Sequence, residues 1–326
     1  MFESKIFNIS SKREFQELAL EIFYYQAEHN PVYKQYISLM GCSSLRVTSI
    51  SDIPFLPVDF FRTHVVRTRS DEPACIFESS GTTGSVVSKH YLSGTDLYEE
   101  SISRCFSLFY GNVSRRCILS LLPSYLERGN SSLVYMMNHL IKKSNHPDSG
   151  FYLNDFASLS RILISRTRDG VPTLLLGVSF ALLDFAVQYP ASLSDNIIIM
   201  ETGGMKGRRP EITRTELHDL LKQAFNLEQI HSEYGMTEML SQAYSKGNGL
   251  FYPPPWMKII CRDTHDPRSL VKDGQTGGIN IIDLANIYSC CFLETSDLGK
   301  CYANGGFEIL GRYDHSDIRG CNLLSG

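Results

Sequence analysis

The run Ser79-Ser80-Gly81-Thr82-Thr83-Gly84 is built only of hydroxyl residues and glycines, and Lys89 follows closely. Glycine lets a backbone turn tightly and aim its N–H groups inward. Successive inward N–H groups form a concavity that binds anions. Hydroxyls add donors, and a nearby lysine adds a point charge suited to phosphate. The stretch therefore reads as a polyphosphate cradle, with a hydroxyl-rich turn as the plainer alternative. It is not a Walker loop, because Gly-x-x-x-x-Gly-Lys-[Ser/Thr] is absent.

Three later stretches could share that chemistry. Ser232-Glu233-Tyr234-Gly235-Met236-Thr237-Glu238 sets a ring for stacking, a hydroxyl for a phosphate oxygen and a carboxylate able to hold Mg²⁺. Thr295-Ser296-Asp297-Leu298-Gly299 reads as a carboxylate in a tight turn after a strand, suited to a ribose diol. Gly311-Arg312-Tyr313-Asp314 reads as a fixed cation and a carboxylate after another strand. Each motif alone is weak, and Tyr-Gly-x-Thr-Glu by itself is most often an ordinary strand and turn.

The elements that position these residues follow from hydrophobic period. Phe15, Leu18, Ala19, Ile22 and Phe23 share a helical face within residues 11–40, and Asn30-Pro31 breaks and restarts that helix. Continuous apolar runs at 117–122, 173–178 and 196–201 alternate with helices at 132–143, 179–188 and 213–225. A further helix is expected over 96–110, capped by Gly94-Thr95-Asp96. Continuous runs alternating with helices indicate a largely parallel sheet covered on both faces. In such sheets ligands bind at loops after the carboxyl ends of strands, where 78–85, 124–132 and 201–208 fall. Beyond residue 250 short alternating runs and Gly/Asp turns predict an antiparallel β-rich subdomain. The expected division is a helical segment 1–50, an α/β nucleotide- and acid-binding core 51–250, and a β-rich subdomain 251–326.

At 326 residues, with 43 % hydrophobic and 20 % charged residues, the chain can bury a sizeable core. A net charge of −4 gives no reason to expect nucleic acid or an anionic membrane as partner. No apolar run reaches membrane-spanning length, and the N-terminus lacks a signal-peptide pattern. Nine scattered cysteines without Cys-x-x-Cys argue against a disulfide framework or a zinc site and for the cytoplasm. Cys290-Cys291 reads as core in an apolar strand. Cys321, near Arg319, is either a reactive thiol nucleophile or an ordinary tail cysteine.

Taken in order, these motifs resemble the adenylate-forming ligase superfamily of acyl-CoA synthetases, luciferases and adenylation domains. The match covers roughly residues 50–326. Pro57-Val58-Asp59-Phe60-Phe61-Arg62-Thr63-His64, Phe77 to Gly84, and Leu122-Pro123-Ser124-Tyr125-Leu126-Glu127-Arg128 narrow it to the acyl-protein synthetase (LuxE-type) branch. The resemblance implies the family's large N-terminal α/β domain, and a chain lacking the C-terminal lid and its catalytic lysine. It implies ATP and Mg²⁺ as cofactors. Ser79, Ser80, Gly81, Thr82, Thr83, Gly84 and Lys89 would hold the β- and γ-phosphates. Thr237 would meet the α-phosphate, and Glu238 would hold Mg²⁺. Gly203-Gly204 and Tyr234-Gly235 would hold adenine, and Asp297 with Arg312 the ribose.

It also implies a carboxylic, for example fatty, acid as substrate, and a thiol acceptor: Cys321, coenzyme A or an acyl carrier protein. An acyl-reductase partner fits the same branch. The rival reading is a catalytically reduced nucleotide-binding subunit of an acyl-reductase or surface-polysaccharide complex.

Overall fold

A computed structural model gives the fold and describes residues 2–79, 86–123, 130–203 and 212–312. Ser80 to Gly84, Gly204 and Cys321, with their expected roles, and the motif residues Tyr125, Arg128 and Asp314 lie outside the described residues.

Helices in chain order are α1 Glu3–Ile6, α2 Lys12–His29, α3 Pro31–Leu39, α4 Phe60–Thr63 and α5 Asp96–Tyr110. After these come α6 Ser132–Ser144, α7 Phe156–Asp169, α8 Ser179–Gln188 and α9 Arg214–Phe225. Strands begin with β1 Leu56–Pro57, β2 Cys75–Glu78, β3 Lys89–Leu92, β4 Cys117–Leu121, β5 Gly150–Phe151, β6 Thr173–Val178 and β7 Ile197–Thr202. The rest are β8 His231–Tyr234, β9 Ala243–Ser245, β10 Leu250–Tyr252, β11 Met257–Arg262, β12 Thr276–Asp283, β13 Phe292–Cys301 and β14 Phe307–Arg312.

The chain divides into two compact units. One draws on the chain before residue 76, on 88–94 and on the chain from 255; the other draws on 76–87 and 95–254.

In the second, parallel unit, the strands run β10-β9-β8-β7-β6-β4-β5. Neighbours from β5 to β8 pair parallel, whereas β8, β9 and β10 pair antiparallel. Every residue of β4 and β6 is buried, which is why these strands are apolar without alternation. Each Leu or Ile so buried contributes roughly 1.5–3 kcal/mol. Gly177 admits α8 directly onto β6, since a Cβ there would stand 2.8 Å from the Leu182 side chain. A reciprocal capping box between Thr213 and Glu216 starts α9, and such a cap is worth about 1 kcal/mol.

The first, antiparallel unit holds β11-β12-β13-β14, with β1 parallel to the first half of β13. Asn30 separates its two long helices as the sequence predicts: it ends α2, and its side chain accepts from Tyr33 N to cap α3. Buried Gln26 donates to Ile287 O at 2.8 Å and accepts from Cys291 N at 2.9 Å. That pair of bonds fastens α2 to the turn before β13 and leaves the buried amide satisfied.

Four local expectations need correcting. Asp297 does not occupy a turn: β13 continues through it to Cys301, because a register shift at Leu298/Gly299 lets the strand bend while staying paired with β14. Arg312 is the last residue of β14 rather than a residue beyond it. Thr95 makes no side-chain cap to α5; its backbone is already helical, and acidic Asp96 and Glu99 favour that end instead. Cys290 and Cys291, both fully buried, precede β13 instead of lying in it.

Candidate active site

In the parallel unit, the motif loops leave one edge of the sheet. Register sets Val178 beside Thr202 and Thr202 beside Glu233 at the carboxyl ends of β6, β7 and β8. The next residues along are Ser179, Gly203 and Tyr234. Ser179 Oγ donates to Gly203 O at 2.9 Å, and Gly203 takes φ 68°, a conformation glycine adopts without strain. Half-buried Thr237 and buried Glu238 follow in the turn after β8. Ser79 follows β2, where Glu78 N donates to Asn130 O at 2.8 Å. That bond ties the residue before Ser79 to Asn130. Beneath it Phe77 packs against Tyr98 and Tyr135, each with ring centroids 5.4 Å away.

Under the same edge lies a buried polar cluster. Arg214 Nε reaches Glu201 Oε1 at 3.2 Å, and His218 Nε2 stands 3.6 Å from it. Burial alone would raise the Glu201 carboxyl; the nearby His218 ring, the Arg214 charge and Ser232 outweigh it and hold the group below its ordinary value. Glu233 behaves oppositely. Burial pushes its carboxyl up to about 7, with the Glu201 charge adding to the rise and the Thr202 hydroxyl, donating at 2.5 Å, working against it. A Cβ at Gly235 would lie 2.6 Å from Glu233 Oε1, so that carboxyl would have to shift to admit one.

The antiparallel unit holds the other expected contacts. Asp297 and Arg312 are register partners, and Arg312 Nε donates to Asp297 Oδ1 at 3.0 Å. Asp297 is 5 % exposed, whereas the Arg312 side chain is 77 % exposed. The Thr-x-Asp spacing has a local reason: Asp297 N donates to Thr295 Oγ1 at 3.1 Å, and that hydroxyl donates to Ile279 O at 2.9 Å. Buried Arg262 braces the same strand, reaching Thr295 O at 2.7 Å and Asn280 Oδ1 at 2.8 Å. Lys89 opens β3 and is exposed.

Gly203, Tyr234, Gly235, Thr237 and Glu238 thus share one strand edge, and Asp297 pairs with Arg312. The reading from sequence gave no role to Glu201, Thr202, Glu233 or Arg262. Glu201 closes an apolar Ile-Ile-Ile-Met run and Glu233 adjoins the Tyr-Gly motif, so a carboxylate in a buried strand was the available signal. Among the described residues no group of three or more His, Cys, Asp and Glu side chains gathers for a metal. A single protein carboxylate can suffice for Mg²⁺, which keeps waters and takes substrate phosphates. Among the described residues no helix is long and apolar enough to cross a membrane.

The architecture is that of the adenylate-forming ligases. A 2-hydroxyisobutyryl-CoA ligase with 2-HIB-AMP and CoA superposes with TM-score 0.65 at 14 % identity, over 94 % of this chain and 70 % of that one. ATP-bound MatB from Rhodopseudomonas palustris gives TM-score 0.53 at 17 % identity, over 75 % of this chain and 49 % of that one. The chain therefore spans about half the length of the MatB structure. A long-chain-fatty-acid–luciferin-component ligase of Vibrio harveyi is 25 % identical over 327 residues, covering 92 % of this chain and 84 % of the relative. The profile of the acyl-protein synthetase family LuxE matches residues 1–325.

The chain belongs to the LuxE acyl-protein synthetase family, and it is an acyl-adenylate-forming ligase. The fold class, the family and the enzyme class expected from the motifs all hold, and a reduced nucleotide-binding subunit is not favoured.

Proposed function

We propose that this chain activates a fatty or other long acyl acid in the cytoplasm and hands the acyl group to a thiol. The carboxylate attacks the α-phosphorus of ATP, forming acyl-AMP and releasing pyrophosphate. A thiolate then attacks the acyl carbonyl and displaces AMP. The observation that carries this reading is the common edge at which Gly203, Tyr234 and the Thr237-Glu238 turn leave adjacent strands.

Charge develops on the phosphates in the transition state, so positioned donors and cations lower the barrier most. Ser79, Ser80, Thr82, Thr83 and Lys89 bind the outer phosphates, and Thr237 donates to the α-phosphate. Gly81, Gly84, Gly203, Gly204 and Gly235 let backbone approach the nucleotide, and Tyr234 stacks on adenine. Asp297 accepts from the ribose diol, with Arg312 holding its carboxylate in place. Glu238 would hold Mg²⁺, which when bound would draw charge off the phosphates. The acceptor is Cys321, coenzyme A or a carrier-protein thiol, with an acyl reductase as the consuming partner.

ATP–pyrophosphate exchange against a panel of carboxylic acids tests the first half. Exchange with long-chain acids is expected, and none with any acid at saturating Mg·ATP overturns the reading. Radiolabelled acid tests the second half: Cys321→Ser should spare exchange and remove covalent label, and label that survives excludes Cys321 as acceptor.

A further inference from the structure

Cys261 and Cys301 lie 40 positions apart, yet their sulfurs stand 2.7 Å from one another. That is about 0.7 Å beyond the ~2.05 Å disulfide bond. The approach is built by the surrounding chain. Cys261 lies on β11 and Cys301 ends β13, and both strands flank β12. Cys261 stands opposite Ile279 of β12, and from there toward the Cys301 end β12 presents Gly278 and Gly277. One turn holds both cysteine backbones: Val271 N donates to Cys261 O at 3.0 Å and Gly274 N to Cys301 O at 2.8 Å. Access differs between the two, with Cys261 3 % exposed and Cys301 half-buried.

We propose that Cys261 and Cys301 form a redox site that closes to an intramolecular disulfide on reaction with a hydroperoxide and reopens with a dithiol. The half-exposed Cys301 thiolate attacks one peroxide oxygen. The O–O bond breaks, hydroxide leaves and takes up the thiol proton as water, and Cys301 becomes a sulfenic acid. The Cys261 thiolate then attacks the Cys301 sulfur. The S–S bond forms, the S–O bond breaks, and the departing hydroxide takes the Cys261 proton as a second water. Two electrons pass from the thiol pair to the peroxide.

Exposure rather than acidity makes Cys301 the first to meet peroxide. The hydrogen bond from Cys301 holds the Cys261 thiol below its ordinary value against the opposing effect of burial. The same hydrogen bond, and then burial, push Cys301 up. One proton thus lies between two sulfurs, and Cys261 is the readier resolving thiolate. The bond would pin the end of β13, the strand that carries Asp297, to β11.

The test uses the full chain, hydrogen peroxide and peptide mapping after alkylation under denaturing, non-reducing conditions. The expected result is one linked peptide pair, Cys261 with Cys301, lighter by two hydrogens and restored to two alkylated peptides by dithiothreitol. Cys301→Ser, at the half-exposed member, should keep the fold and abolish the link; Cys261→Ala should do likewise and leave Cys301 to over-oxidise. Wild-type protein in which both cysteines remain alkylatable, in which Cys301 goes to sulfinic acid, or in which the link joins another pair overturns the proposal. None of these readouts depends on which acid or nucleotide the enzyme uses.

Discussion

Thr237 and Glu238 follow the end of β8 in the parallel unit, whereas Asp297 and Arg312 stand inside paired strands of the antiparallel unit. The contrast follows from hydrogen bonding. A parallel strand covered on both faces offers no exposed side, so reactive groups can reach a ligand only where the strand stops. An antiparallel strand can show one side chain in two to a ligand along its length, so register itself aims Asp297 and Arg312 at one another. Groups on the first kind of support should fail in chemistry when changed and leave folding alone. The β-sheet beneath them should do the reverse.

Glu238→Ala gives the largest expected effect, a loss of roughly 10²–10³-fold or more in ATP–pyrophosphate exchange. Its circular-dichroism spectrum should match wild type, and retained exchange would break the comparison at its strongest point. Leu175→Ala, at a fully buried position of β6, should cost about 2–5 kcal/mol of unfolding free energy, read by urea titration.

Glu233 sharpens the contrast through pH. Its folded value of about 7 stands above the ordinary 4.5, so the folded state keeps that proton longer. The associated stability is fully present below pH 4.5 and is lost as pH rises through about 7, up to roughly 3 kcal/mol in all. Glu233→Gln should flatten the fall in urea stability across that window; an unchanged slope would mean that another group carries it. Asp297→Asn gives the smallest effect. It should raise the KM for ATP about tenfold and change unfolding free energy by less than about 1 kcal/mol, because the Arg312 side chain it holds is largely in water.

The fold could be read from local pattern wherever a strand or helix buries one continuous face. The β4, β6 and β7 runs, the α9 helix and the Asn30 break between α2 and α3 all follow from side-chain type at fixed spacing. Asp297 was misread as a turn residue because Gly299 and the polar neighbours resemble turn chemistry; only pairing with β12 and β14 keeps that segment extended. The Tyr-Gly motif itself was legible, but the close approach of the Glu233 carboxyl to its glycine was not.

What the sequence determined by itself is the inventory and its order: hydroxyls, glycines and lysine first, then Tyr234 to Glu238, then Asp297, then Arg312. Short-range rules suffice there, because each motif owes its chemistry to neighbours within a few residues. Only the tertiary structure decided which distant groups meet. The Glu201–Arg214–His218 cluster, the proton on Glu233 and the 2.7 Å approach of Cys261 to Cys301 depend on which strands pair and what burial removes from water. Neither strand pairing across long loops nor local dielectric is written in adjacent residues, so such encounters become visible only once the chain is folded.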